Sequence, residues 1–298
     1  MKRIKKDKVI YSFDYKHKPV EMVDDGEEFI FETLDALGGR IHTVKDALDV
    51  VLPRELHNPA TGPVYINGAE PGDTLAVKII DIKLGEFGYG RVKGGGVIIG
   101  ELHPPSANLT PIKDGKIIFN DRISFFPRPM IGVIGVAQKG SPVDTFDPGS
   151  HGGNLDINEA KPGSTVYLPV QVEGALLALG DVHASMGDGE LNGGGLDIDA
   201  EVKVKVSIHK NLGWERPVIE TEDSWCTCAS GPGLSDAIRR ATSDMTNLLS
   251  NNLNISREEA FILIGAAVDA RIGQAAELDL DMTAYLRIRN EILKINIE

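Results

Sequence analysis

The chain has 298 residues, which is room for one large domain or two modest ones, and 42% of them are hydrophobic. Lys and Arg number 31 and Asp and Glu number 44, so the formal net charge is −13. A negative chain repels phosphate backbones, which argues against nucleic-acid binding.

Residues 1–220 carry the pattern of a β protein. Residues 202–208 alternate strictly between apolar and polar side chains, which is the period of a half-buried strand. The pattern A-x-P-G-x-T followed by an apolar residue starts at both Ala69 and Ala160, through an internal duplication or through reuse of a common turn. Frequent Pro and Gly turns favour a sandwich or barrel-like core. Further strands are predicted at residues 75–84, 131–136 and 166–172.

Residues 221–298 change to a helical pattern, and we predict an α-containing α+β part packed on the β core. Apolar residues at spacings of three and four indicate an amphipathic helix over 234–249. A capping box at 256–259 opens a second helix, expected to reach about Ile272 and to be deeply buried because it is apolar on every side. A third, shorter helix is predicted at 282–292.

The sequence also bears on the compartment. No apolar run follows the basic N-terminus, and no window approaches about 18 uninterrupted apolar residues, so we expect neither a secretion signal nor a membrane span. Cys226 and Cys228 are too few for a disulfide scaffold. We therefore predict a cytoplasmic protein with reduced thiols.

The segment GDVHASMGDGE at residues 180–190 concentrates reactive side chains. Asp181 and His183 are two apart, so they point to the same side of an extended chain, and Asp188 and Glu190 have the same relation. A bend between the two pairs would bring all four into one pocket. Histidine and carboxylates suit a divalent ion, and they also suit general acid–base catalysis without a metal. A solvated acidic turn is the third alternative.

The segment GSHGGNLD at residues 149–156 is the second candidate. A histidine followed by two glycines can bring backbone N–H groups close to a ligand, where they stabilise an oxyanion. The alternative is a polar turn with a solvated histidine. The candidates are His151, Gly152, Gly153, Asn154 and Asp156.

These two segments, with GAEPGD at 68–73 and PRPMIGVIGV at 127–136, resemble the acetamidase/formamidase family in order and spacing. The resemblance runs from about residue 35 to residue 290. It implies hydrolysis of short aliphatic amides to a carboxylic acid and ammonia. It also implies a β-sandwich-like core with a C-terminal α/β extension, and a homo-oligomer, a dimer or larger.

On this resemblance we form a hypothesis for the site. Asp181 and His183 would hold a divalent metal, zinc or alternatively calcium, and no organic cofactor is expected. Glu190 would be the general base and then the proton donor, with His183 and Asp188 as further catalytic residues. The residues of the 149–156 segment would bind the substrate.

Two other functions remain open at this point. A glycine-lined acidic pocket is also suited to bind a cation or a small amide without turning it over. The same residues would serve hydrolysis of another C–N bond, such as that of a lactam.

Overall fold

A computed structural model describes residues 1–93, 95–102, 104–275 and 281–297. The predicted C-terminal part is therefore described without residues 276–280 and 298. Within the described ranges, the α-helices are α1 (Val44–Asp49), α2 (Leu234–Leu253) and α3 (Arg257–Ala267), and short 3-10 helices span Arg54–Leu56 and Ile99–Glu101.

The same ranges contain short and long β-strands in both halves of the chain. In chain order they are β1 (Lys2–Ile4), β2 (Val9–Ile10), β3 (Ser12–Phe13), β4 (Glu21–Val23), β5 (Glu28–Thr33), β6 (Ala60–Ile66), β7 (Thr74–Leu84), β8 (Phe87–Val92), β9 (Ser106–Lys113), β10 (Lys116–Ile118), β11 (Ser124–Phe125), β12 (Met130–Gly135), β13 (Val143–Asp144), β14 (Pro148–Gly149), β15 (Gly152–Asn154), β16 (Thr165–Pro169), β17 (Leu177–His183), β18 (Asp197–Ile198), β19 (Ala200–His209), β20 (Val218–Glu220), β21 (Ser224–Gly231), β22 (Asp269–Ile272) and β23 (Met282–Arg289). The strands predicted from hydrophobic patterning correspond to β7, β12, β16 and β19.

Most strands belong to two large sheets. The first has the order β1-β5-β19-β7-β16-β20-β21-β23-β22. The second has the order β11-β10-β9-β8-β18-β17-β12-β15-β14, and β6, which carries β2 and β4, also pairs with β17. The prediction of a mainly β fold with an α-containing C-terminal part is confirmed.

The two sheets pack face to face. The largest cluster of buried side chains includes Val77 and Val204 from the first sheet and Ile134 and Leu179 from the second. Burial of these side chains is the main favourable term that holds the layers together. The opposite face of the first sheet is covered by α2, whose Met245 packs in a second cluster.

The prediction for the second helix is wrong in its end point and in its burial. The second helix ends at Ala267, and Asp269–Ile272 forms β22 instead of continuing it. This helix is not deeply buried, because Phe261 is 61% and Ile262 is 73% exposed. Its apolar residues on the other side, including Leu263, pack against the second cluster.

The third predicted helix is a strand. Residues 282–289 form β23, which pairs with β21 along one edge and with β22 along the other. Hydrogen bonds on both edges satisfy its backbone groups, and these long-range pairings outweigh the local helical pattern. The first sheet therefore continues across the boundary predicted at residue 220.

The structure also bears on the two repeated turns, the two cysteines and the question of a membrane span. The two A-x-P-G-x-T turns precede β7 and β16, which are antiparallel neighbours in the first sheet. Cys226 and Cys228 are free and buried. Among the described residues, no helix is both long and apolar enough to cross a membrane.

Candidate active site

The strand β17 carries Asp181 and His183 into the interior. One edge of β17 pairs with β12 between Ala178 and His183. The other edge pairs with β6 as far as Gly180 and with β18 from Val182 onward. Asp181 lies where the partner strand changes, so its side chain faces a gap in the sheet.

A compact cluster forms at this gap. Asp156, Asp181 and His183 each offer a ligand atom, and these atoms lie within 4.8 Å of one another. His183 Nε2 is 3.5 Å from Asp181 Oδ1 and 3.4 Å from Asp197 Oδ1. Asn58 Nδ2 donates to Asp181 Oδ2 at 3.1 Å and to Asn154 Oδ1 at 3.2 Å, which holds the Asp181 carboxylate in place.

Two glycines make room for the cluster. A Cβ atom at Gly132 would lie 2.6 Å from Asp156 Oδ1 and 2.9 Å from Asp181 Oδ2. A Cβ atom at Gly195 would lie 2.5 Å from Cγ of His183. Side chains at these positions would therefore push the carboxylates and the imidazole apart.

Unusual backbone geometry gathers at the same place. Four residues adopt the left-handed conformation, which residues other than glycine rarely adopt, although Asn and Asp tolerate it best. They are Asn58 (φ 50°), Asp156 (φ 48°), Asp181 (φ 51°) and Glu190 (φ 47°). Such strain persists only where the surrounding structure enforces it, and it is concentrated at functional sites.

Burial of several carboxyl groups together perturbs their titration. Burial, and next the charge of Asp181, raise the pKa of Asp156 to about 7. Burial raises the pKa of Asp197 to about 8, although His183 acts in the opposite direction. Burial and the charge of Asp156 raise the pKa of Glu190 well above its ordinary value.

The pKa of His183 is raised as well, but by neighbouring charges and not by burial. Burial by itself would lower the pKa of His183, but the carboxylates of Asp181 and Asp197 outweigh this and raise it. Perturbed groups of this kind are typical of active sites.

The donor set of this cluster fits a cation. Both carboxylate oxygens of Asp156, Oδ1 of Asp181 and Nδ1 of His183 are buried and have no hydrogen-bond partner among the described residues. Buried charges without partners are costly unless they are paired or bind a metal. Two carboxylates and one imidazole are the ligands of divalent metals such as zinc. The group could therefore hold a metal ion.

The cluster opens into a cavity of about 330 Å³. Asp181, His183, Asp197 and Glu190 line its acidic part. The other walls combine apolar, amide and basic side chains with the glycines that follow Glu190. They include Leu37, Leu52, Phe146, His57, Asn58, Asn154, Gln274, Arg54, Arg91 and Gly193–Gly195. A cavity of this size and composition accommodates a small polar molecule.

Comparison with known proteins decides the family. A model of the acetamidase/formamidase family matches residues 12–137 and 134–294. The chain belongs to this family. The acetamidase of Bacillus halodurans is 37% identical in sequence and has a TM-score of 0.92, with 97% of each chain covered. A predicted acetamidase/formamidase from Thermoanaerobacter tengcongensis is 38% identical with a TM-score of 0.94, covering 98% of this chain and 96% of that one.

A curated relative is matched over part of its length. The formamidase of Methylophilus methylotrophus is 28% identical over 266 residues, which are 67% of this chain and 65% of that protein. The chain thus spans less than two thirds of that relative's length.

The acetamidase/formamidase fold brings together only part of the predicted site. Four of its residues line the cavity: Asp181, His183, Glu190 and Asn154. Asp156 lies behind this lining, next to Asp181 and His183. The remaining residues lie elsewhere: His151, Gly152, Gly153 and Asp188 are outside the cavity lining.

The His-Gly-Gly segment has a packing role in this family member. His151 is fully buried, 4.8 Å from Phe13 between ring centroids. A Cβ atom at Gly149 or Gly153 would lie 2.8 Å or 3.0 Å from its ring nitrogens. Burial lowers the pKa of His151 to about 4, so the ring is neutral at pH 7. Gly152 and Gly153 lie in β15, between β12 and β14.

Asp188 lies on the outer side of the Glu190 loop. It accepts hydrogen bonds from Asn158 Nδ2 at 2.8 Å and from Arg271 Nη1 at 3.1 Å. Both members of the ion pair are partly exposed. Asp188 therefore attaches the loop to β22 and does not face the cavity.

Sequence patterning missed three polar residues of the site. Asn58 directly follows His57, and a neighbouring histidine was the available signal. Asp197 comes shortly after a triple glycine, which was the available signal. Gln274 has no local signal, because backbone hydrogen bonds between its neighbours and the distant residue Gly189 bring it to the cavity.

We predict that Gly132→Ala destabilises the protein by about 1–3 kcal/mol, because the added methyl group overpacks the carboxylate cluster. The matched control is Gly187→Ala, since a Cβ atom there meets nothing within 4 Å. Both changes reduce the entropy of the unfolded chain similarly, so their difference reports the contact. The measurement is the free energy of unfolding in urea. Equal values for the two variants would contradict the prediction.

Proposed function

We propose that the chain is an amidohydrolase that converts short aliphatic amides, such as formamide and acetamide, to a carboxylic acid and ammonia. Water adds to the carbonyl carbon, the C–N bond breaks, and the nitrogen leaves with a proton taken from the water. One observation carries the proposal: Glu190, with its raised pKa, shares a small cavity with Asp181 and His183. Relatives named formamidase and acetamidase support it.

Glu190 is assigned the proton transfers. Amide hydrolysis needs an activated water, a stabilised oxyanion and a proton for the leaving nitrogen. A carboxyl group with a pKa raised toward neutrality can accept a proton from water and then release it to nitrogen. Burial, and next the charge of Asp156, raise the pKa of Glu190 and so make it a stronger base than an exposed carboxylate.

Asp156, Asp181 and His183 are assigned to hold a divalent metal ion. We propose zinc, since imidazole and carboxylate are its ligands in catalytic sites, with calcium as the alternative. When bound, such an ion supplies positive charge that makes water a stronger acid and polarises a carbonyl group. Asp156 thus moves from the predicted substrate-binding set to the metal-binding set.

Asn154 is assigned to the substrate carbonyl. The nitrogen end of Asn58 is defined because Nδ2 donates to a carboxylate oxygen of Asp181. The same nitrogen donates to Asn154 Oδ1, so the two N–H groups of Asn154 remain available. A carbonyl oxygen in the cavity is the matching acceptor.

The proposal extends to the compartment, oligomeric state and partners of the enzyme. We propose a cytoplasmic homo-oligomer without nucleic-acid or membrane partners, as the sequence predicts. Phe261 and Ile262 support self-association, because they leave apolar surface exposed on α3.

The first test measures ammonia release from formamide, acetamide, propionamide and a cyclic amide. We expect turnover of the linear amides, and a loss of roughly 10²–10⁴-fold in kcat for Glu190→Gln, the usual contribution of a general acid–base. Asp188→Asn is the matched control, since it removes one carboxylate from the same loop. Its ion pair is exposed and worth up to about 1 kcal/mol, so we expect a loss of about fivefold at most.

Other outcomes would redirect the assignment. Saturable binding of amides without ammonia release would identify a binding module. Turnover of the cyclic amide alone would identify hydrolysis of another C–N bond. Wild-type rates for Glu190→Gln would remove Glu190 from the mechanism.

The second test concerns the metal. We expect elemental analysis to find a divalent metal in the purified protein, and chelation to abolish ammonia release until the metal is restored. Asp156→Asn should lower the metal content, because it removes a charged ligand, whereas Asp81→Asn at an exposed position of β7 should not. Full activity of metal-free protein would contradict the metal assignment.

A further inference from the structure

Gln274 places an amide group in the wall of the active-site cavity. It is only 2% exposed, and it follows β22 directly after Gly273. Its Nε2 donates to the main-chain oxygen of Asp281 at 2.7 Å. A carbonyl oxygen only accepts hydrogen bonds, so the orientation of the Gln274 amide is determined by this partner.

The carbonyl oxygen of the Gln274 amide, Oε1, is the group that a ligand can use. Gln274 Oε1 is buried and has no hydrogen-bond partner among the residues that the structure describes. An unpaired buried acceptor destabilises a protein by about 1–3 kcal/mol. Because Gln274 lines the cavity, a hydrogen-bond donor on a ligand is the natural partner for Oε1.

The backbone holds Gln274 beside Glu190. Gly189, which precedes Glu190, donates its N–H to Gly273 O at 3.0 Å and accepts from Ala275 N at 3.0 Å. The residues on both sides of Gln274 are therefore bonded to the Glu190 loop. The two side chains project from adjacent stretches of paired backbone into one cavity.

The chemistry of an amide matches this pair. Its NH₂ group donates hydrogen bonds, whereas its carbonyl oxygen accepts them, so Oε1 can bind only the nitrogen end. The nitrogen gains a proton as it leaves, and each N–H group of the ammonia product is again a hydrogen-bond donor. An acceptor beside Glu190 is thus satisfied from substrate to product.

We propose that Gln274 Oε1 accepts a hydrogen bond from the NH₂ group of the substrate and thereby selects amides whose nitrogen carries a hydrogen. Gln274 is then a specificity-determining residue that orients the leaving nitrogen toward Glu190. This inference rests on the amidohydrolase function proposed above. It also explains selection against molecules of the same shape that lack an N–H, since a site built to bind that group leaves Oε1 unpaired with them.

The test compares acetamide with acetone, which has a methyl group where acetamide has NH₂. We expect Gln274→Met to lower kcat/KM for acetamide by about 10–100-fold, the loss of one buried hydrogen bond. The inhibition constant of acetone should stay within about twofold or decrease, because acetone never used Oε1. Gln171→Met, outside the cavity lining, is the matched control and should change neither value.

A second variant covers the case in which Gln274→Met fails to fold, as judged by thermal unfolding. Gln274→Asn keeps the amide and withdraws it by one methylene, so the same selective loss for acetamide is expected. Equal losses for acetamide and acetone, or no loss for acetamide, would overturn the role of Gln274 and leave the amidohydrolase function standing. Absence of ammonia release by the wild-type protein would instead overturn the function itself.

Discussion

The structure depends on the burial of several acidic side chains at one point of the second sheet. Asp156, Asp181 and Asp197 meet around His183, and like charges taken out of water repel one another and lose hydration. The raised pKa values of Asp156 and Asp197 express this cost. A cation held by Asp156, Asp181 and His183 would remove most of this cost, so the constraint that makes the cluster unfavourable by itself also suits it to a metal ion.

The fold accommodates these buried carboxylates through the spacing and conformation of its backbone rather than through additional hydrogen-bond partners. Gly132 and Gly195 leave space against the carboxylates and the imidazole. Asp181 sits where β17 changes its partner from β6 to β18, and its left-handed conformation turns the carboxylate into the resulting gap. Packing of the two-sheet core around this point holds these left-handed residues in place.

Contacts outside the cavity fix the position of the loop that carries Glu190. Asp188 binds Arg271 outside the cavity, and Gly189 is bonded to the backbone on both sides of Gln274. These contacts attach the loop to β22 and to the residues that follow it, so Glu190 and Gln274 line the cavity together. Asp188 and Glu190 have similar sequence surroundings, but they occupy different sides of the loop: Asp188 attaches it to Arg271, and Glu190 lines the cavity.

The sequence by itself determined what depends on local pattern. Alternation predicted β19, and the spacing of Asp181 and His183 on one strand predicted that both enter the site. Its motifs also predicted the family, which the comparisons confirm. Local pattern failed at residues 282–292, where pairing with two distant strands made β23 from a helical-looking segment.

Only the tertiary structure decided which polar residues share the cavity. Asn58 and Gln274 reach it from opposite ends of the chain, and Gln274 carries no local signal for chemistry. His151 and Asp188 had stronger signals, but packing against Phe13 and pairing with Arg271 take them away from it. Distant contacts form when the whole core is buried, so the energy that selects them is absent from any short segment of sequence.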